Sequence, residues 1–140
     1  MSKTILFGDE ARLQMFSGME KVAKTVTATI GPKGRNVIFA RSYGAPQITN
    51  DGVTIAKEIE LEDPIENMGA ELIKEAASKP NDAAGDGTTT ATLLTYAMVK
   101  EGLREIRSGI NAIELKNGMK KAGEIVELEL AKNSKKVSTG

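Results

Sequence analysis

The stretch DPIENMGAELIKEAASK, residues 63–79, narrows the possible folds more than any other part of the chain. Asp is a favoured N-cap, Pro is at home at the first helical position, and Glu three residues after the cap can reach back to the cap's N–H. Ile65, Met68, Gly69, Leu72, Ile73, Ala76 and Ala77 then recur at a period near 3.6, which makes one face of a long helix apolar. The helix is expected to run to about Lys79. Pro80 removes a backbone hydrogen bond, so a kink or an early end is predicted there.

Other segments repeat the helical pattern. After Asp9, the residues Met15, Met19, Val22 and Val26 line one face, with Phe16 and Ala23 beside them, until Gly31-Pro32 stops the helix. From Thr88, Ala91, Leu94 and Met98 lie on one side and Val99, Leu103, Ile106 and Ile110 on another. A helix apolar over so much of its circumference is expected to be buried, and Ser108-Gly109 marks its end. Asn111 with Glu114 resembles a second capping box. The last helix carries Leu115, Met119, Ala122, Ile125, Val126 and Leu130, and the polar tail NSKKVSTG is predicted to fray. RNVIFA (35–40) and PQIT (46–49) flank the turn-prone SYGA and predict a β-hairpin. Residues 3–7, KTILF, suggest a short strand, and residues 51–58 a short helix. The expected fold class is mainly α: a bundle of four long helices, with one short helix and a small hairpin. Several helix faces are too apolar for the surface of a small free-standing bundle, which points to covering partners.

Composition limits the chemistry. A chain of 140 residues has room for one ordinary domain. It has no Cys and no His, which excludes a disulfide framework, a thiol nucleophile, a zinc–thiolate site and a histidine base. Chemistry must therefore rest on carboxylates, hydroxyls, Lys or Arg, backbone amides or a hard metal. A formal net charge of zero advertises no nucleic-acid partner. No apolar run approaches the ~20 residues that span a bilayer, and the first residues lack a secretory h-region. A cytoplasmic location and no membrane partner are the expectations.

The stretch NDAAGDGTTTATLL, residues 81–94, breaks the helical pattern with three threonines at a helix start. Thr is β-branched and a poor helix former. A helix N-terminus, however, has unpaired N–H groups and partial positive charge. Gly85 and Gly87 permit close approach by an anion, and Thr88, Thr89 and Thr90 add hydroxyls beside the amides. Asp86 would repel a bare phosphate unless a Mg²⁺ joined the two. The motif therefore suits a Mg–nucleotide phosphate site. The same turn is also an ordinary capped helix start, and no G-x-x-x-x-G-K-[ST] P-loop occurs. ATIGPKGRN (28–36), with Lys33 and Arg35, is a second tight turn that, taken alone, reads first as a helix stop with solvated basic residues. In ITNDGVT (48–54), Asp51-Gly52 reads as a cap for the short helix or as a third part of one site.

TIGPKGRNV, GAPQITNDGVTIAKEIELEDPIENMGAELIKEAASK and NDAAGDGTTTATLL closely resemble the amino-terminal part of the group I chaperonins, the GroEL type. The likeness runs from about Phe7 to the last helix. The GDGTTT element is shared with group II chaperonins, whereas GPKGRNV and ENMGAELIKE look like group I. The resemblance implies a subunit of a double-ring ATPase that assists protein folding, with a co-chaperonin lid and non-native protein clients. It implies that residues 1–140 form the first half of the mainly helical equatorial domain, which holds the nucleotide. By resemblance, Thr29, Ile30, Gly31 and Pro32 wall the nucleotide site, and Asn50 is a further contact. Asp51 lies beside the γ-phosphate and attacking water as a supporting catalytic group. Asp86 binds Mg²⁺, Gly87, Thr88, Thr89 and Thr90 hold the phosphates of ATP, and K⁺ is a further candidate ion. The 37–49 hairpin resembles the stem-loop that pairs with a neighbouring subunit.

Two departures stand out. Asn50 replaces the family's usual Lys, removing a positive charge near the phosphates, and Pro80 replaces a residue that continues the helix. The resemblance also implies that the apical domain, the intermediate domain with its main catalytic carboxylate, and the returning equatorial helices lie outside these residues. Negligible ATP turnover by these residues alone follows as an expectation. The alternative is a non-catalytic module that acts only by assembling with full-length subunits.

Overall fold

The structure, a computed structural model, describes residues 4–41, 43–135 and 137. Among them are five helices and one two-stranded sheet: α1 (Gly8–Thr27), β1 (Val37–Phe39), β2 (Gln47–Thr49), α2 (Gly52–Glu58), α3 (Pro64–Ala84), α4 (Thr88–Arg107) and α5 (Ala112–Asn133). The mainly α fold with a small hairpin is therefore observed. The chain divides into two compact units, Met1–Lys100 and Glu101–Gly140.

In the first unit, the apolar faces of α1, α2 and α3 meet. Val22, Ala23, Val26, Ile55, Ala56, Ala70 and Ile73 form one buried cluster. Two glycines set how closely α1 and α3 cross. A Cβ on Gly18 would stand 1.8 Å from the Glu66 carbonyl oxygen, and one on Gly69 would stand 1.8 Å from that of Met15. Polar pairs flank this crossing: Gln14 Nε2 donates to Asp63 Oδ2 at 2.9 Å, Ser17 Oγ donates to Glu66 Oε1 at 2.7 Å, and Lys21 pairs with Glu66. Lys21 and Ser17 together hold the Glu66 carboxyl below the usual carboxylate range.

Several expectations need correction. Asp63 caps α3 by accepting from the amides of Ile65 and Glu66. The Glu66 side chain does not return to the cap, because Lys21 and Ser17 of α1 take both of its oxygens. Pro80 does not end α3, which continues to Ala84 and closes on Gly85 in the left-handed conformation. Loss of the Pro80 N–H removes one bond, and the Gly85 N–H to Asn81 carbonyl bond at 2.8 Å secures the turn beyond it. Helix α1 ends at Thr27, before Gly31-Pro32, and the Thr29 and Ile30 amides bond back to Val26 and Thr27.

Residues 4–7 have no regular structure, with Ile5 and Phe7 exposed, and Lys3 lies outside the described residues. A strand needs a paired neighbour, and the described sheet contains only β1 and β2, antiparallel with Ile38 opposite Ile48. Within that hairpin, Ser42 lies outside the described residues.

The α4 stripe is less buried than expected. Leu94 and Met98 are about half exposed, at 54% and 50%, while the buried residues of α4 are Thr88 and Thr92. Its anchor in the first unit is Tyr96, whose ring stacks on Phe16 at 5.5 Å and whose hydroxyl donates to Glu20 at 2.7 Å. In the second unit, Asn111 caps α5 through the amides of Ile113 and Glu114, and α5 buries none of its own residues. The predicted tail begins at the last residue of α5. Of its other residues, Lys136 and 138–140 lie outside the description.

Candidate functional site

A cleft of about 140 Å³ lies within the first unit, lined by Asp51, Gly52, Val53, Asn81, Gly85, Asp86, Gly87, Thr88, Thr89 and Thr90. Three chain segments thus meet there: the start of α2, the last turn of α3 and the start of α4.

The α3–α4 turn follows from glycine geometry. Gly85 and Gly87 have φ of 72° and 93°, a region that L side chains rarely adopt. Between them, Asp86 accepts from the Gly87 N–H at 2.6 Å. A Cβ on Gly87 would lie 3.6 Å from that of Pro80, so the proline packs against the turn that carries Asp86. The first bond of α4 runs from the Ala91 N–H to the Gly87 carbonyl at 2.8 Å. The amides of Thr88, Thr89 and Thr90 therefore precede the intrahelical ladder and lack partners within it. Thr88 is 7% exposed, and its Oγ1 is buried without a partner among the described residues. A buried hydroxyl without a hydrogen bond is costly, and this one belongs to a residue that lines the cleft.

Gly52 brings α2 to the same place. A Cβ there would stand 2.3 Å from Thr89 Oγ1 and 3.5 Å from Val26 of α1. Asp51 caps α2, its Oδ2 accepting from the Thr54 hydroxyl at 2.6 Å and from the Thr54 amide at 2.9 Å. These hydrogen bonds, the hydroxyl's first, hold its carboxyl below the usual aspartate range against a smaller opposing effect of burial. Asp51 is thus a stably charged carboxylate.

The lining contains two carboxylates, Asp51 and Asp86, and no Lys or Arg. Among the described residues no group of three or more acidic side chains could by itself hold a metal ion. A hard ion such as Mg²⁺ fits this donor set, because it takes one or two carboxylates and completes its shell with phosphate oxygens and water. The volume suits phosphate groups better than a whole nucleotide, since drug-sized ligands need roughly 300–1,000 Å³.

Six predicted site residues therefore line one cleft: Asp51, Asp86, Gly87, Thr88, Thr89 and Thr90. Thr29, Ile30, Gly31, Pro32 and Asn50 are not among its lining residues. The Thr29 hydroxyl donates to the Val26 carbonyl at 2.8 Å, and the turn closes on itself through Gly34 to Gly31 and Arg35 to Ala28. Gly52, Val53 and Asn81 were not among the predicted site residues. Asn81 did leave a trace in the sequence, as a poor helix former directly after a proline; Gly52 was legible as part of the Asp51-Gly52 turn, but its close approach to Thr89, distant in the chain, was not.

Comparisons with known proteins agree with this architecture. The TCP-1/cpn60 chaperonin family matches residues 22–139. A crystal structure of a group III chaperonin in the open state superposes with a TM-score of 0.79 at 30% sequence identity, covering 91% of this chain and 25% of that one. The chain thus spans about a quarter of that relative's length. The hairpin, the long helices and the GDGTTT turn that carries the cleft are therefore elements of a known lineage: the chain belongs to the TCP-1/cpn60 chaperonin family.

Proposed function

We propose that this chain supplies the phosphate- and Mg²⁺-holding half of the ATP site of a chaperonin subunit, as the first half of its equatorial domain. One observation carries the reading: the uncapped start of α4, with its buried unpaired Thr88 hydroxyl, opens on a cleft beside Asp51 and Asp86. The amides and hydroxyls of Thr88, Thr89 and Thr90 hold phosphate oxygens, and Gly87 lets them approach the backbone. Asp86 is the Mg²⁺ ligand. The ion, when bound, neutralises phosphate charge and orients the terminal phosphoryl group. Thr29–Pro32 and Asn50 extend the site toward the rest of the nucleotide, and K⁺ is a candidate second ion.

Asp51 orients the attacking water. Its hydrogen bonds to Thr54 make it a weak base, far from the near-neutral pKa that suits a general base. Turnover by these residues alone is therefore negligible, and a further carboxylate elsewhere in the subunit completes the reaction. Assembly into a double ring, a co-chaperonin lid, non-native protein clients and a cytoplasmic location complete the reading. The GPKGRNV and ENMGAELIKE segments favour the group I branch.

Calorimetric titration with ATP, with Mg²⁺ and then with a chelator, tests the site. Weak Mg²⁺-dependent binding is expected, lost by about 100-fold or more in Asp86→Ala (about 2.7 kcal/mol). Equal losses in Asp86→Ala and Lys33→Ala would mean that the metal has been misplaced.

A second reading, a non-catalytic module acting through assembly, is favoured by the hairpin. Ile38 and Ile48 face each other across it and are 65% and 62% exposed. Co-elution with full-length chaperonin subunits, lost on Ile38→Ser, supports an assembly role; Mg–ATP binding in the same preparation separates the two readings.

A further inference from the structure

Asn81 lines the cleft with Asp51 and Asp86. It sits in the last turn of α3, directly after Pro80. Its carbonyl accepts from the Gly85 N–H at 2.8 Å, but its side-chain amide has no hydrogen-bond partner among the described residues. Pro and Asn in succession are unfavourable inside a helix. Local rules broken at one place, beside a cleft, point to a role in function rather than in folding.

The chemistry of the lining says which role. Two carboxylates and no cationic side chain face any phosphate that enters. A Lys here would attract phosphate but compete with a bound cation for the carboxylates. An amide NH₂ donates two hydrogen bonds and brings no charge. We propose that Asn81 is a nucleotide-binding residue whose amide donates to a phosphate oxygen held beside Asp86. The proposal rests on reading the cleft as a Mg–phosphate site.

The test compares Asn81→Ala and the isosteric Asn81→Asp with the unaltered chain and with Asp86→Ala. Each is titrated with Mg–ATP and with magnesium triphosphate, and melted without ligand. Loss of a donor is expected to weaken binding of both ligands by about tenfold in Asn81→Ala. Asn81→Asp replaces the donor with a negative acceptor, so a loss nearer 100-fold is expected, with the ligand-free melting temperature unchanged in both variants. Unaltered affinity in both variants, while Asp86→Ala loses binding, overturns the role of Asn81 and leaves the cleft reading standing. Equal losses in Ala and Asp with a lowered ligand-free melting temperature assign Asn81 to folding and also overturn it. No Mg-dependent binding by the unaltered chain overturns both readings.

Discussion

Helices α3 and α4 begin in opposite ways. At α3, Asp63 accepts from two amides, Pro64 takes the first position where no N–H is needed, and Gln14 holds the other carboxylate oxygen. Both oxygens of the Asp63 carboxylate and the amides of Ile65 and Glu66 thus have partners. At α4, a glycine in the left-handed region opens the helix, and among the described residues Asp86 bonds only the next amide and the buried Thr88 hydroxyl has no partner. The first start is built for stability. The second leaves polar groups open, which is the arrangement the proposed phosphate site would use.

The contrast can be broken experimentally. Asp63→Ala should have the largest effect on the unliganded fold, a loss of about 2 kcal/mol, because two amides and Gln14 lose their acceptor. Chemical denaturation measures this, and Mg–ATP affinity should stay unchanged; a parallel fall in affinity would show that the two helix starts are not independent. Gly52→Ala should do the reverse. Its Cβ displaces Thr89 Oγ1, so affinity should fall about tenfold (about 1.4 kcal/mol) with a smaller change in stability. If stability falls more than affinity, Gly52 serves the α1–α2 contact rather than the cleft.

Acid sharpens the comparison further. The folded pKa of Asp51 is depressed, so its contribution is present above the unfolded value near ~4 and is lost as pH falls through the lower folded value. The unliganded chain should therefore lose stability below about pH 4, and Asp51→Asn, which keeps a capping oxygen but no titrating charge, should make that decline shallower; identical acid profiles would deny the Asp51 carboxylate a part in acid unfolding. The smallest effect should come from Lys33→Ala. Its turn is closed by backbone bonds and lies outside the cleft lining, so affinity should change by less than about twofold in the same titration.

Much of this was legible in advance because it is local. Asp63, Asn111 and Asp51 act on amides two or three residues away. The hairpin strands lie close in sequence, and the GDGTTT turn carries its own glycines. The misreadings were of another kind. Glu66 obeyed the capping-box pattern until Lys21 and Ser17 of another helix claimed it. Pro80 satisfied the rule for a helix end, but α3 continued through it to Ala84 and closed on Gly85. The α4 stripe looked like a buried helix, yet its firm contacts run through Tyr96 and its threonine turn.

The sequence by itself determined where most helices start, which residues turn the chain and which motif could hold a phosphate, because hydrogen bonds within one helical turn need no distant partner. Only the tertiary structure decided that Gly18 and Gly69 let α1 and α3 cross backbone to backbone, that Gly52 admits Thr89, and that Asp51 and Asn81 share a cleft with Asp86. Those relations join residues far apart in the chain, and close packing of three helices chooses among the many pairings that local preference leaves open.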